Sequence, residues 1–189
     1  MRGALKLALI GGGLVAALAA PRAAGGQDHD PMSSPPPGLA ADGVFVGGSL
    51  GLSFGDVDYV EIAPLIGTWL GPQVTVGGSL IFRYRNDGRY AEDLSTTDYG
   101  ASAFAEYYVF NPVYLHVEVE YLSYEHGTFD FSTERDGFTS VFVGGGASTA
   151  MSGRSSLYVQ VLYNLSYVDD EPSPYSSPWV TRFGVAVGF

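Results

Sequence analysis

The sequence predicts an all-β protein, namely an eight-stranded antiparallel up-and-down transmembrane β-barrel. Three observations favour this fold. The chain alternates apolar and polar residues with a period of two, its connections alternate between tight and long, and it ends inside a strand on Phe189. A period of two is typical of strands whose two faces meet different surroundings. Alternation alone does not distinguish a soluble barrel with an apolar interior from a membrane barrel with an apolar exterior. The choice between these two classes therefore depends on the connections and the termini.

Residues 1–24 are predicted to be a cleaved secretory signal peptide. Arg2 and Lys6 precede the apolar run LALIGGGLVAALAA, which contains an A-x-A site at Ala17 to Ala19. A membrane-spanning anchor is the alternative, but the run is short and carries glycines. Residues 25–42 are rich in Gly, Pro and Ser without a hydrophobic period, which indicates a disordered leader. The barrel is therefore assigned to residues 43–189.

Beyond Gly43 every segment has the pattern of a strand, and no amphipathic helix is predicted. Most segments reach the roughly 9 to 11 residues that a tilted strand needs to cross a bilayer. The eight predicted strands are Val44 to Phe54, Ile62 to Leu70, Gln73 to Tyr84, Thr97 to Phe110, Val113 to Tyr124, Phe138 to Ala150, Ser156 to Val168 and Ser177 to Phe189.

The connections between these strands alternate in length. Tight turns are predicted at Gly71-Pro72, at Asn111-Pro112 and around residues 152–154. Between them lie long, polar and mostly acidic segments, GDVDYVE, RNDGRYAEDLSTTD, EHGTFDFSTERDG and VDDEPSPYSSP. Bacterial outer-membrane barrels place short turns on the periplasmic side and long loops outside the cell. Export through the signal peptide followed by insertion into the bacterial outer membrane is therefore predicted.

The chain ends with PWVTRFGVAVGF, in which apolar residues alternate up to the terminal aromatic. This ending resembles the assembly signal of bacterial outer-membrane barrels, carried here by Phe183, Val185, Val187 and Phe189. With GVFVGGSLGLSFG at the start of the barrel and LYNLSYVDDEPSPYSSPWVTRFGVAVGF at its end, the chain resembles the small eight-stranded outer-membrane proteins of the porin family, of the OmpX, OmpA-barrel and OmpW types. The resemblance implies contact with outer-membrane lipid and lipopolysaccharide, and recognition of the last strand by the barrel assembly machinery.

Strand parity predicts a charged lumen. In VYLHVEVEYLSY, Val117 and its apolar neighbours should face lipid, and the polar parity should face the interior. A lone buried ion is costly, so the interior charges are expected to be paired. We expect Arg182 to reach Glu118 or Glu120, and Arg83 to bridge Glu106 or Glu120. The predicted lumen ion-pair network comprises Arg83, Glu106, His116, Glu118, Glu120 and Arg182.

Side-chain size predicts that this lumen is plugged. Small residues line strands one and eight and bulky ones line strands four and five, so the two walls complement each other and leave no continuous pore. The inward faces of strands two and six are left open, because their alternation is unclear.

Aromatic girdles are expected at the outer strand ends, from Phe54, Tyr84, Tyr121, Tyr167 and Trp179, and at the inner ends, from Phe110, Phe189 and Trp69.

Composition excludes several functions. The chain has 9 basic and 20 acidic residues, and the basic ones are scattered, so nucleic acid is not an expected partner. No metal site and no cofactor are predicted, because there is no cysteine and no Ca²⁺-loop spacing. His126, Thr128 and Glu134 share the third long loop, and His116 lies near Glu118, but neither set supplies a nucleophile with a base and an orienting acid.

The sequence therefore favours a non-enzymatic membrane barrel with a structural or surface-interaction role, either adhesion or ligand binding. The acidic loops interleave carboxylates with aromatic residues and offer a surface for an extracellular ligand. A narrow small-solute channel is the alternative, and a lipid-modifying outer-membrane enzyme is a weaker one.

Overall fold

The structure, a computed structural model, describes residues 43–53, 57–87, 94–127, 133–152, 154–168 and 173–189. The predicted signal peptide, the predicted leader and Phe54 lie outside these residues. Eight strands run in chain order, β1 Val44–Ser53, β2 Val57–Trp69, β3 Val74–Asp87, β4 Leu94–Phe110, β5 Val113–Gly127, β6 Thr133–Ser152, β7 Ser155–Asn164 and β8 Trp179–Gly188. Over the described ranges, no helix is long and apolar enough to cross a membrane.

Each strand pairs antiparallel with the next, and β1 pairs with β8, which closes the barrel. The predicted fold class is confirmed. One end of the barrel carries the short connections 70–73, 111–112 and 153–154, and we call it the tight-turn end. The opposite end carries the connections 54–56, 88–93, 128–132 and 165–178, and we call it the long-loop end.

The strands differ in length from the prediction mainly at the long-loop end. β2 begins at Val57 instead of Ile62, β5 continues to Gly127, and β6 begins at Thr133. The polar residues there continue the strand alternation, because their inward members find partners across the sheet. By contrast, β7 ends at Asn164, four residues before the predicted Val168, where a turn begins.

The barrel is inverted relative to a soluble protein. Val117 is 51% exposed on the outer surface, whereas Glu120 on the opposite parity of the same strand is 0% exposed. The two faces that the sequence left open follow the same rule. β2 turns Glu61 inward and Ile62 outward, and β6 turns Phe142 inward. An apolar exterior around a charged interior is the arrangement of transmembrane barrels.

Most of the predicted girdle residues are exposed on the outer surface, namely Tyr84, Tyr121, Trp179, Phe110 and Phe189. Two are not. Trp69 is buried in the lumen with its ring centroid 5.1 Å from that of Tyr108, because it shares the inward parity of Glu61 on β2. Tyr167 is half-buried and packs against an interior aromatic cluster. The prediction that Trp69 and Tyr167 belong to the interfacial girdles was therefore wrong.

Inward-facing glycines allow rings from the adjacent strand to pack against the backbone inside the lumen. A Cβ added to Gly184 on β8 would lie 2.2 Å from the ring of Tyr158 and 2.5 Å from the carbonyl oxygen of Gly48. A Cβ added to Gly67 would lie 2.3 Å from the ring of Phe45. The rings therefore lie directly on the backbone of the adjacent strand. Whether the small residues of β1 and β8 complement the bulky ones of β4 and β5 across the lumen stays a prediction.

Candidate functional site

A layer of ion pairs crosses the middle of the lumen, with Arg182 at its centre. This side chain extends from β8 and reaches the far wall, where Nη1 donates to Glu118 Oε2 at 2.6 Å and Nη2 donates to Glu120 Oε2 at 3.1 Å. Its Nε lies 3.1 Å from Oε1 of Glu61 on β2. The predicted pairing of Arg182 with Glu118 or Glu120 is confirmed, and the arginine binds both.

Arg83 forms the second cationic member of this layer. Its Nη2 lies 2.5 Å from Glu61 Oε2 and 3.9 Å from Glu120 Oε1, so the predicted contact with Glu120 is present but long. The predicted contact with Glu106 is wrong. Arg83 lies opposite Glu61 and Asp98 in the sheet, whereas Glu106 lies opposite Thr75, much nearer the tight-turn end.

Tyr175 closes this layer from the long-loop end. It lies in the connection between β7 and β8, and its hydroxyl accepts a hydrogen bond of 2.9 Å from Arg83 Nη2 and donates to Glu120 Oε1. The Arg83 guanidinium lies between the rings of Tyr59 and Tyr175, at 4.4 and 4.7 Å from their centroids. Burial raises the pKa of Tyr175 well above its ordinary value of 10.0, although the neighbouring Arg83 opposes the rise.

His116 links the ion-pair layer to the tight-turn end. Its Nε2 lies 3.1 Å from Glu118 Oε2, and its Nδ1 lies 3.2 Å from Glu106 Oε1. Thr75 Oγ1 donates to the other oxygen of Glu106 at 2.9 Å. Because both ring nitrogens face carboxylate oxygens, both must donate, which requires the imidazolium form. The predicted membership of His116 and Glu106 in the lumen network is correct.

Rings fill the lumen below His116. Phe104 stacks on the His116 ring at 5.6 Å between centroids, and Tyr108 lies between Trp69 and Tyr114 at 5.1 and 5.2 Å. This group forms an aromatic floor at the tight-turn end. A small cavity lies between the ion-pair layer and this floor.

A second polar layer lies above the first, toward the long-loop end. Arg85 Nε donates to Asp98 Oδ2 at 2.9 Å, and both side chains are buried. His126 lies in β5, not in a loop, and its Nε2 is 3.0 Å from Asp136 Oδ2. Our interpretation of His126 as a loop residue was wrong, because β5 and β6 remain paired past this point.

Glu61 and Tyr175 belong to the site but were not among its predicted residues. The inward face of β2 was unresolved in the sequence, so Glu61 could not be placed inside. Tyr175 lies in a loop, and no periodicity indicates where a loop side chain will go. Its one signal was an aromatic between two prolines in an otherwise polar segment.

The predicted assembly-signal residues lie together on the outer face of β8. Phe183, Val185 and Phe189 are exposed there, and Val187 is partly so. The strand itself is paired on both sides, with β7 and with β1. Whether these residues act in assembly stays a prediction.

Among the described residues, no group of three or more His, Asp or Glu side chains is arranged to hold a metal ion. The charged side chains of the lumen form the ion pairs described above. The geometry therefore provides a closed plug of paired acidic and basic side chains, with aromatic rings on both sides of it.

No protein-family model matches the chain, and no curated protein sequence matches it. Solved structures do resemble it. The crystal structure of the N-terminal β-barrel domain of Pseudomonas aeruginosa OprF is 13% identical, with a TM-score of 0.49 over 78% of this chain and 98% of that one. A de novo designed transmembrane β-barrel is 12% identical, with a TM-score of 0.41 over 84% of this chain and 100% of the design.

Proposed function

We propose that this protein is an integral β-barrel of the bacterial outer membrane with a closed lumen, and that its role is structural or one of surface interaction. The observation that carries the proposal is the contact of Arg182 with carboxylates of both β2 and β5. A side chain that joins opposite walls blocks the passage of solutes, and eight strands leave little room around it.

The inverted surface supports insertion in a membrane. Exposed Leu, Val, Ile and aromatic side chains surround the barrel, and such a surface on a soluble protein would be an aggregation hazard. In the proposed orientation the tight-turn end faces the periplasm and the long-loop end faces outward. Lipid and lipopolysaccharide then contact the barrel wall, and the acidic connections are presented to an extracellular ligand.

The contacts of His116 support a non-enzymatic role. Both of its ring nitrogens are engaged by carboxylates, so neither is free to take a proton from a hydroxyl nucleophile. The buried arginines are likewise engaged with carboxylates of the lumen.

Conductance across a planar lipid bilayer tests the closed lumen. The purified, refolded full chain should produce no discrete current steps. A variant with Arg182, Glu118 and Glu120 replaced by serine, and with the floor rings Trp69, Tyr108 and Tyr114 replaced by alanine, removes both barriers in the lumen. It serves as the positive control, in which we expect measurable conductance. Discrete openings of the unmodified protein would contradict the proposal.

A further inference from the structure

The barrel wall is not equally tall on all sides, because β6 continues beyond β7 at the long-loop end. β6 is paired with β5 from Thr133 onward, whereas its pairing with β7 begins only at Phe142, which lies opposite Asn164. Within the described chain, the other edge of β6 before Phe142 therefore has no strand beside it. We call residues 133–139 the free edge of β6.

The residue at which this edge ends shows which backbone groups point along it. Val141 directs both of its backbone groups toward β7, since its carbonyl accepts from Leu165 N–H at 2.7 Å and its N–H donates to Ser166 Oγ at 3.1 Å. Alternate residues of a strand direct their backbone groups to the same side. The residues whose groups point to the free edge are Thr133, Arg135, Gly137 and Thr139. Over the described ranges, these groups have no hydrogen-bond partner on that side.

The free edge lies beyond the apolar part of the wall. Thr139 is paired in the sheet with Tyr121, one of the exposed girdle rings, and the residues before it continue toward the long-loop end. They include Glu134, Arg135 and Asp136, none of which is buried. Hydrocarbon does not tolerate unpaired backbone groups, so such an edge is stable only where it meets water or a partner. In the proposed orientation it faces the extracellular medium.

A second copy of this chain does not fit the edge. Two barrels inserted in the same direction and related by a two-fold axis are rotated about the membrane normal. Strands of such barrels are tilted by about 35 to 45° from that normal. The two β6 strands would therefore cross at about twice this angle instead of lying side by side. The occupant must be a segment whose direction is not fixed by the same membrane.

The charges along the edge indicate the chemistry of that segment. Glu134 and Asp136 share one face of β6, and both are exposed at the rim, although Asp136 also contacts His126. On the opposite face Arg135 is already paired with Glu125, at 2.5 Å. Opposite charges on neighbouring strands stabilise a sheet, and like charges destabilise it. The face with the two acids therefore favours lysine or arginine at alternate positions of an added strand.

We propose that the free edge of β6 binds an extended segment of an extracellular protein, with basic residues at alternate positions, as an additional antiparallel strand. The inference rests on the proposed orientation of the barrel and names the class of its surface partner. Backbone hydrogen bonds provide the affinity, and Glu134 and Asp136 provide the selectivity. The backbone groups of these two acids point to β5. In an antiparallel pair the basic residues opposite them therefore point their own N–H groups away from β6, and the residues between point theirs toward it.

Binding of a short synthetic peptide to the refolded full chain in detergent tests the proposal. The peptide alternates lysine and valine, has blocked ends and carries a fluorophore, so that fluorescence anisotropy measures binding. We expect saturable binding, and much weaker binding of a peptide that alternates glutamate and valine. Absence of binding by the lysine peptide would overturn the proposal.

Two methylated forms of the lysine peptide provide a matched comparison. Methyl groups on the valine backbone nitrogens block the N–H groups that point to β6, and they should abolish binding. Methyl groups on the lysine backbone nitrogens lie on the far side of the added strand, and this peptide should bind like the parent. Equal binding of the two methylated peptides would contradict pairing along the edge.

Variants of the chain locate the site. Thr139→Pro removes one N–H from the free edge and should weaken binding several-fold, whereas Thr139→Val keeps that N–H and is the matched control. Glu134→Gln should also weaken binding several-fold. Asp58→Asn, which changes an exposed acid at the same end of β2, should not. Unchanged binding in Thr139→Pro and Glu134→Gln overturns the site. If the proline variant does not fold, unchanged binding in Glu134→Gln does so.

This test and the conductance test can fail separately, because the peptide binds outside the lumen. Discrete currents from a chain that binds the peptide would overturn the closed lumen and leave the edge in place. A silent barrel that does not bind the peptide would overturn the edge and leave the closed lumen in place.

Discussion

Arg182 binds three carboxylates that come from two other strands, so its energetic role depends on all of them. Charges buried away from water are tolerated only when their partners remain in place. Removing the arginine leaves Glu61 and Glu120 to share Arg83, and leaves Glu118 with His116, which also contacts Glu106. The loss of one partner should therefore cost more than the loss of a matched pair.

Arg182→Leu should lower the free energy of unfolding by about 3 to 5 kcal/mol. Adding Glu118→Leu to the same chain should recover part of this loss, because the pair is then removed together. Urea unfolding in detergent, followed by circular dichroism, measures both values. Similar stability of the single and the double variant would show that the two side chains are not coupled.

Tyr175→Phe removes the hydroxyl that bridges Arg83 and Glu120 and leaves the ring in place. Hydrogen bonds to charged groups contribute about 1.5 to 3 kcal/mol, so we expect a loss of that size near neutral pH. Because the folded pKa of Tyr175 is raised, its contribution is complete below the ordinary pKa of about 10 and declines as the pH rises above it. Urea unfolding at several pH values should show the two proteins converging in alkali; a constant difference would be inconsistent with this.

At the scale of the strand, alternation predicted the inward faces of six strands and failed for β2 and β6. The reason is visible in β2, whose inward residues toward the tight-turn end are Ala63, Leu65, Gly67 and Trp69. Where the lumen is filled by apolar side chains, both faces of a strand are apolar and the pattern disappears. The contact between Arg182 and Glu118 was predictable because β5 and β8 alternate clearly. The contact between Arg83 and Glu61 was not, since it depends on the unresolved face of β2.

The close approach between β8 and its neighbours can be tested at Gly184. Gly184→Ala would place a Cβ against both the Tyr158 ring and a backbone oxygen, and overpacking of this kind typically costs about 1 to 3 kcal/mol. Gly48→Ala is the matched control on β1, since its Cβ would meet neighbouring atoms no closer than 3.6 Å. Urea unfolding of the two variants should separate them; equal stability would mean that the ring and backbone shift at little cost.

At the scale of the whole molecule, the direction in which each face points decides how the barrel tolerates charge. Val117→Arg places a cation on the exposed face of β5, where lipid is proposed to lie, and should cost about 2 to 4 kcal/mol if this position is near the bilayer midplane. Thr139→Arg, on the exposed face of β6 closer to the long-loop end, should cost about 0 to 1 kcal/mol. Unfolding from lipid vesicles, read by heat-modifiable gel mobility, compares them. Equal costs would argue against a lipid-covered wall.

The two tryptophans of the chain lie on opposite sides of the barrel wall. Trp69 is 5% exposed inside the lumen, and Trp179 is 61% exposed outside. Brominated acyl chains, which quench indole fluorescence on contact, should therefore dim Trp179 and spare Trp69. In variants that keep one tryptophan and replace the other by phenylalanine, the fluorescence follows a single event. Trp179 then reports insertion of the barrel wall into the bilayer, and Trp69 reports closure of the lumen, so the two events can be timed separately during refolding.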